Sequence, residues 1–397
     1  MERFELPEGW EWLALGDPEV ASINPRKSEV RNLADEQAIT FVPMDAVSEE
    51  LGIIAKPGTR SLGEVRKGYT YFADGDVIFA KITPCMENGK SAIARGLTNG
   101  VGFGSTEFHV FRAGTKATPK WLHCLLRSQQ LRTDAENAMT GAAGQQRVPR
   151  DFLAGYEIPV PPLPEQKRLV ARIEAQTSRV EHIRKAQREL ETELRGILNG
   201  YYAEICADAE WKPLAEVAPI VRRPVSVEAG QSYPELGIRS FGKGTFHKPA
   251  IAAEHLGSKR IYHIHPGDLI FNNVFGWEGA VAVVKPEDAG RVGSHRFITC
   301  VPKAGVATTP FLYFHFTTEQ GLHDLGDASP GGAGRNRTLG LTALGNIRVP
   351  VPDYDKQVVF ARLWEKVETT RRLQTELAAD LAAFVPALLA KAFRGEL

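Results

Sequence analysis

Two stretches of this chain carry a heptad stripe. From Glu165 to Gly200, apolar or neutral side chains fall at Leu169, Ile173, Gln176, Val180, Ile183, Gln187, Leu190, Leu194, Ile197 and Tyr201, in steps of four and three. The positions between are largely charged, with Arg184, Lys185, Arg188, Glu189, Glu191 and Glu193 among them. A stripe repeating every 3.5 residues keeps one helix face turned to a partner, so the pattern predicts a coiled coil. Its roughly 36 residues would span about 54 Å at 1.5 Å per residue. A second stripe supplies the partner: Phe360, Leu363, Val367, Thr370, Gln374, Leu377, Leu381, Phe384 and Leu388. Each stripe contains two polar positions, which cost stability and fix register. Pro386 predicts a bend or a restart in the last turns of the second helix. Two arrangements fit: an antiparallel pair spacing two globular domains, or two helices each packed on its own domain. A helix of this length needs a partner, which favours the pair.

Outside the stripes the pattern shortens. Ile39–Val42, Val77–Ile82, Asp268–Phe271 and Ala280–Val284 read as strands bounded by Gly, Asp and Pro turns. Helical spacing appears near 119–137, with Trp121, Leu122, Leu125 and Leu126, and again near 310–325. The expected fold class is α+β, with two mixed α/β domains separated by two long antiparallel helices.

The two halves repeat each other at an offset of about 191 residues. Ile158-Pro159-Val160-Pro161-Pro162 with Glu165-Gln166 answers Val349-Pro350-Val351-Pro352 with Lys356-Gln357. Trp12-x-x-Leu15 answers Trp211-x-x-Leu214, and Asp74-Gly75-Asp76-Val77-Ile78-Phe79 answers Pro266-Gly267-Asp268-Leu269-Ile270-Phe271. Gly141-Ala142-Ala143-Gly144 with Arg147 answers Gly331-Gly332-Ala333-Gly334 with Arg337. This period far exceeds the 20–50 residues of solenoid units and marks two whole modules in pseudo-two-fold relation. The boundaries read as 1–157 and 206–348 for the globular parts, with 158–205 and 349–397 as proline strip plus helix. Proline disfavours helix in the residue before it, so the strips read as stiff extended connectors.

Composition sharpens this only slightly. With 397 residues, 43% hydrophobic and 24% charged, the chain is an ordinary globular protein of two or three domains. Its formal net charge is zero, with 18 Lys/Arg against 19 Asp/Glu in residues 1–150 and 15 against 14 in 201–350. That balance argues against non-specific coating of nucleic acid, while leaving room for a reader whose cations gather on one face. Four scattered cysteines suggest neither a zinc site nor a disulfide framework. The acidic start has no apolar core, and no run approaches the ~20 residues of a membrane span, so a cytoplasmic protein is expected.

Catalytic motifs are not found. Gly102-Phe103-Gly104 is a bare G-x-G and reads as a turn, and no phosphate-binding G-x-x-x-x-G-K-[ST] loop is present. The Asp-Pro-Pro-aromatic type of motif of an amino-methyltransferase is missing too. Pro352-Asp353-Tyr354-Asp355-Lys356 resembles a nuclease motif only in part, and Asp353 reads better as a helix N-cap. His263, His265 and His295 lack a closing ligand, so no metal is assigned.

At the proline strips the chain resembles a known family. Ile158-Pro159-Val160-Pro161-Pro162-Leu163-Pro164-Glu165-Gln166-Lys167-Arg168-Leu169-Val170 is similar to the central segment of type I restriction–modification DNA specificity subunits. Leu6-Pro7-Glu8-Gly9-Trp10-Glu11-Trp12 resembles the family's opening, and Leu388 through Leu397 its close. The second strip departs, with Asp353-Tyr354 for Pro-Leu and Lys356 for Glu. The resemblance implies a non-catalytic subunit with no cofactor of its own. Its two target-recognition domains would each read half of a bipartite double-stranded DNA site, while its helices set the gap and dock two modification subunits. Those subunits would bring S-adenosylmethionine, and a restriction subunit would bring ATP and Mg. Two other readings stay open: a coiled-coil scaffold that binds protein without reading DNA, and a methyltransferase with an unrecognised active site.

Base-contact positions do not carry over from such a resemblance. By residue type, the DNA-facing candidates are Lys56, Arg60, Arg66, Lys67, Lys81, Lys90, Gln145, Gln146 and Arg147 in the first domain. In the second they are Arg239, Lys243, Lys248, Asn272, Asn273, Arg296, Arg335, Asn336 and Arg337. Such side chains can bond base edges or phosphates. Glycine-rich turns beside Arg147 and Arg337 permit close backbone approach.

Overall fold

Each proline strip folds as a strand that closes its own domain. In the computed structural model, which describes residues 4–142, 144–331 and 337–397, Glu157–Val160 pairs antiparallel with Glu11–Ala14, setting Pro159 opposite Trp12. Arg348–Val351 repeats the joint with Glu210–Pro213, and Pro350 faces Trp211. Proline lacks the N–H that an inner strand needs, and a two-stranded ribbon is all edge. The strips are thus extended, but they are paired and not free connectors.

A glutamine locks the helix that follows each ribbon. Gln166 is fully buried. Its side-chain oxygen accepts from the Thr118 N–H at 2.8 Å, and its amide donates to the carbonyls of Lys116 (2.6 Å) and Pro161 (2.9 Å). Gln357, equally buried, repeats all three bonds with Thr308 (3.1 Å), Val306 (3.0 Å) and Pro352 (2.8 Å). The Glu-Gln and Lys-Gln pairs recur because one buried amide satisfies the same three backbone groups in both halves.

The central helix is a single element, Leu163–Cys206, longer than the 165–200 expected. Gly196 and Gly200 do not stop it. Leu198 and Ile205 are buried in an apolar core, and Tyr202 packs against Phe311 and Phe314. Such burial outweighs the ~1 kcal/mol helix penalty of a glycine. The C-terminal helix spans Tyr354–Phe393 and runs through Pro386 without restarting. Asp353 caps it as expected, accepting from the Asp355 N–H at 2.9 Å.

The chain divides into two compact units, residues 1–186 with 376–397, and residues 187–375. In the first, Leu169, Val170 and Ile173 from the start of the central helix share one core with Leu388, Leu389 and Phe393 from the end of the other. In the second, Leu198 and Ile205 meet Phe360 and Val367 from the opposite end. Start meets end in both, so the helices are antiparallel. The C-terminal helix also supports each unit's globular part: Phe393 packs on Trp121 at 5.2 Å and Phe360 on Phe311 at 5.8 Å.

The stripe itself needs correction. Leu169, Ile173, Val180, Phe360, Val367, Leu381 and Leu388 are buried, and Leu194 and Leu363 are half-buried. Ile183, Leu190, Ile197, Leu377 and Phe384 are exposed. Through the middle, less accessible positions fall at Arg184, Gln187, Glu191, Arg371 and Gln374. Polar pairing sets this phase: Arg371 bonds Glu191 and Glu368, each at 2.8 Å, and the Gln187 amide reaches the Gln374 carbonyl at 3.4 Å. Hydropathy spacing alone cannot see that choice.

Within the first domain one antiparallel sheet orders Ala21–Ile23, Phe108–Ala113, Val77–Ala80 and Ser91–Ile93. A second orders Gly58–Ser61, Ala38–Val42, Val101–Gly104 and Thr70–Ala73, with its middle pair parallel. The second domain echoes both. Val281–Val283, Leu269–Asn272 and Phe297–Cys300 form one sheet. Thr245–Ala252, Ser232–Ile238, Val292–Ser294 and Ile261–His263 form the other, again with a parallel middle pair. Gly102-Phe103-Gly104 is therefore strand and not turn. Its glycines answer to packing: a Cβ on Gly102 would lie 2.1 Å from the Phe72 ring, and one on Gly104 2.4 Å from the Val42 carbonyl. Each expected mid-domain helix is split in two. Pro119–Leu126 gives way to Gln129–Asn137 at the Ser128 cap, and Thr309–Thr317 to Glu319–Asp327 at the Thr318 cap.

The repeated Gly-Asp turn holds a buried acid in both domains. Asp76 is met by Arg112 at 2.7 Å and Asp268 by Arg223 at 2.6 Å. The arginines come from different elements, which is why no repeat in sequence announces them.

Candidate nucleic-acid interface

The loop leaving strand Val77–Ala80 gathers four of the first domain's nine candidates. Lys81 donates its N–H to the Glu107 carbonyl (2.9 Å) and accepts from the Val148 N–H (2.9 Å), while the Thr83 N–H reaches the Gln146 carbonyl (3.1 Å). These backbone bonds bring Lys81 beside Gln145, Gln146 and Arg147. The Arg147 guanidinium forks onto both oxygens of Glu107 at 2.9 Å and also bonds the Gln145 carbonyl. Arg147 in turn holds the Glu107 carboxyl below the usual range.

The second domain uses the same backbone bonds with different side chains. The Asn273 N–H donates to the Arg296 carbonyl (2.8 Å), and the Leu339 N–H to the Asn273 carbonyl (2.7 Å). Arg296 thus occupies the place of Glu107, and Arg337, two residues before Leu339, stands where Gln146 stands before Val148. Arg337 lies over the Trp277 ring at 5.4 Å. Replacing an acid by a base makes this site the more cationic of the two. Asn272 keeps its side-chain oxygen for the Val274 N–H (3.0 Å). Arg335 and Asn336, with most of the second glycine turn, lie outside the described residues, as does Ala143 of the first.

The remaining candidates divide between surface and scaffold. Arg60, on strand Gly58–Ser61, stacks over Phe41 at 4.0 Å and Tyr69 at 5.9 Å, and Lys56 and Lys67 are exposed. Arg66 is spent internally on Asp35 and on the carbonyls of Val30 and Leu33. Lys90 donates to the Met44 carbonyl at 3.3 Å. Lys248 is half-buried, and its carbonyl accepts from Arg291. Arg239 donates to the Thr245 carbonyl (2.8 Å) and lies over Phe246 at 5.0 Å, while the Lys243 ammonium sits 5.8 Å from the Phe241 ring.

Reading by charge alone passed over the aromatic partners of these cations, Phe41, Tyr69, Phe241, Phe246 and Trp277. Cations resting on aromatic rings make surfaces that suit both phosphates and the faces of bases. For Phe241 a signal was available, an aromatic residue in the turn Ser240-Phe241-Gly242-Lys243-Gly244.

Comparison with known proteins agrees with this geometry. Residues 7–192 match the family model described as the type I restriction modification DNA specificity domain. The EcoEI type I restriction enzyme specificity subunit of Escherichia coli is 49% identical over 168 residues, which is 42% of this chain and 27% of that subunit's own length. Among solved structures, a chain from work on complex assembly and conformational transition of the type I R-M system covers 100% of both chains with a TM-score of 0.67 at 22% identity. The HsdS subunit from Thermoanaerobacter tengcongensis covers 100% of this chain and 99% of its own, with a TM-score of 0.58 at 24% identity. The structural likeness extends over both domains and both helices. Over residues 7–192, this chain is similar to the type I restriction modification DNA specificity domain.

Proposed function

We propose that the chain is the DNA-reading, non-catalytic subunit of a type I restriction–modification complex. Residues 1–157 and 206–348 each read one half of a bipartite duplex target, and the helices of 158–205 and 349–397 set the gap and dock modification subunits. Those partners supply S-adenosylmethionine and the methyltransferase site, and take on the base flipping that methylation requires. The observation that carries this reading is the repeated backbone bonding that joins Lys81 to Glu107 and Val148, and Asn273 to Arg296 and Leu339, with Arg147 and Arg337 just ahead of Val148 and Leu339. One protein so built can read two different half-sites through local contacts.

Methylome sequencing of cells expressing the chain with its modification subunit is expected to yield a split motif. On a duplex carrying that motif, Arg337→Ala should weaken binding roughly tenfold, within the usual worth of a base or phosphate contact, and flatten the salt dependence. Unchanged affinity and salt slope in both Arg337→Ala and Arg147→Ala would remove these turns from the interface.

Inserting one heptad into each helix should lengthen the gap and leave both half-sites intact. Seven residues add roughly 10.5 Å, about three base-pair steps. If the bases read change while the gap stays fixed, the helices are no spacer.

A further inference from the structure

We propose that Phe241 is a wedge that enters the base stack of duplex DNA, in the half-site read by the second domain only; this rests on the DNA-reading assignment above. Phe241 tips the hairpin joining Ser232–Ile238 to Thr245–Ala252. Its side chain is 72% exposed, more than any other large hydrophobic among the described residues. Its backbone is left-handed, with φ of +63°, a conformation that bulky residues avoid and that clusters at functional sites when it occurs. An exposed ring on a strained backbone benefits the folded state in neither respect.

The strained tip is nevertheless held firmly. The Phe241 N–H donates to the Glu278 carbonyl at 2.8 Å, and the Gly242 N–H to the Gly279 carbonyl at 3.0 Å. The Tyr313 hydroxyl donates to the Gly242 carbonyl (2.7 Å), and the Ser240 hydroxyl to the Glu278 carboxylate (2.9 Å). Gly279 is itself left-handed, and a Cβ there would meet Leu322 at 2.7 Å. Four hydrogen bonds therefore fix the tip to the 276–279 turn and the 309–317 helix while the ring stays in solvent. Rigidity of this kind is what a wedge needs, because a mobile side chain would yield before the base stack did.

The flanking charges select the occupant. Lys243 is next to the ring, Arg239 lies over Phe246, and Arg337 lies over Trp277. Trp277 immediately precedes the glutamate whose carbonyl anchors Phe241. Cations around a projecting ring match a ligand with phosphates outside and flat apolar bases within, as in proteins that insert side chains between base steps. Among the described residues the first domain has no counterpart. There the connection between Ala38–Val42 and Gly58–Ser61 is a fifteen-residue loop without an aromatic residue. Arg127 pins it through the Glu49 and Glu50 carbonyls.

The test uses the full chain assembled with its modification subunit, on a duplex bearing the methylome-derived motif with 2-aminopurine placed singly along both half-sites. Domain exchange identifies which half-site belongs to the second domain. The wild type should show raised fluorescence at one step of that half-site, away from the methylated adenine. Phe241→Ala should abolish the rise and weaken binding roughly tenfold, and Phe241→Trp should keep both. Phe241→Gly relieves the left-handed strain, so it should hold or raise the melting temperature and still abolish the rise, which excludes misfolding as the cause. The wedge is overturned if Phe241→Ala leaves the fluorescence pattern intact. It is equally overturned if the wild type shows no such step while binding its motif normally, since Phe241 would then only touch a groove wall. Failure of the wild type to prefer its motif over a scrambled duplex would defeat the DNA-reading assignment itself, and the wedge with it.

Discussion

Gln357→Ala is expected to lower the melting temperature of the 187–375 unit by about 8 °C, and Gln166→Ala to do the same to the other unit. Each glutamine is fully buried and bonds one N–H and two carbonyls. Alanine strands all three, and a buried backbone group without a partner costs about 1–3 kcal/mol. Partial relaxation brings the sum to about 3 kcal/mol, or about 8 °C for a domain of this size. Leucine should do no better, because volume is not what is lost. Scanning calorimetry would show the two transitions separately, and a shift below about 1 °C in both variants would refute the account. The same change should loosen the gap between half-sites in methylation assays, since these bonds fix each long helix to its domain.

Acid should destabilise the second unit through His315. This imidazole is fully buried. Its Nδ1 lies 2.7 Å from the Tyr202 hydroxyl, and its Nε2 has no hydrogen-bond partner. Burial pushes its pKa down to about 4, against about 6.5 in an unfolded chain. The unfolded state therefore binds the proton first. The contribution is fully present above pH 6.5 and lost as pH falls from 6.5 towards 4, about 3 kcal/mol in all. His315→Phe, placed among Trp211, Phe316 and Tyr202, should fold at pH 7 and flatten that part of the profile. An equally steep fall between pH 6.5 and 4 in the variant would assign the acid sensitivity elsewhere. His123, also held near 4 by burial, should act likewise in the first unit.

The repeat made the two-domain plan, the long helices and the Asp353 cap legible, because hydropathy period and offset act over many residues at once. What escaped was decided by single partners. Gly102-Phe103-Gly104 reads as a turn until the ring of Phe72 accounts for Gly102. Ile183, Leu190 and Ile197 read as seam until Arg371 and Glu191 set the phase. Among the candidate DNA contacts, residue type identified the cations but could not distinguish Arg66, consumed by Asp35 and two carbonyls, from Arg60, stacked on Phe41 and Tyr69. Nor could it weigh Gln166 and Gln357, whose role is visible only when the three backbone groups converge on each amide.

The two ribbons make each domain a replaceable cartridge. Glu11–Ala14 lies beside Glu157–Val160, and Glu210–Pro213 beside Arg348–Val351, so each domain begins and ends at one place. Backbone pairing closes that gate with little regard to side-chain identity, and the entropy of closing a chain grows only slowly with its length. A different domain of different size can therefore be received, provided it keeps an N–H for the glutamine and an apolar helix for the paired long helices. Under the proposed function, recombination at such a gate would replace one half of a DNA target in a single step, leaving the other half and the gap as they were.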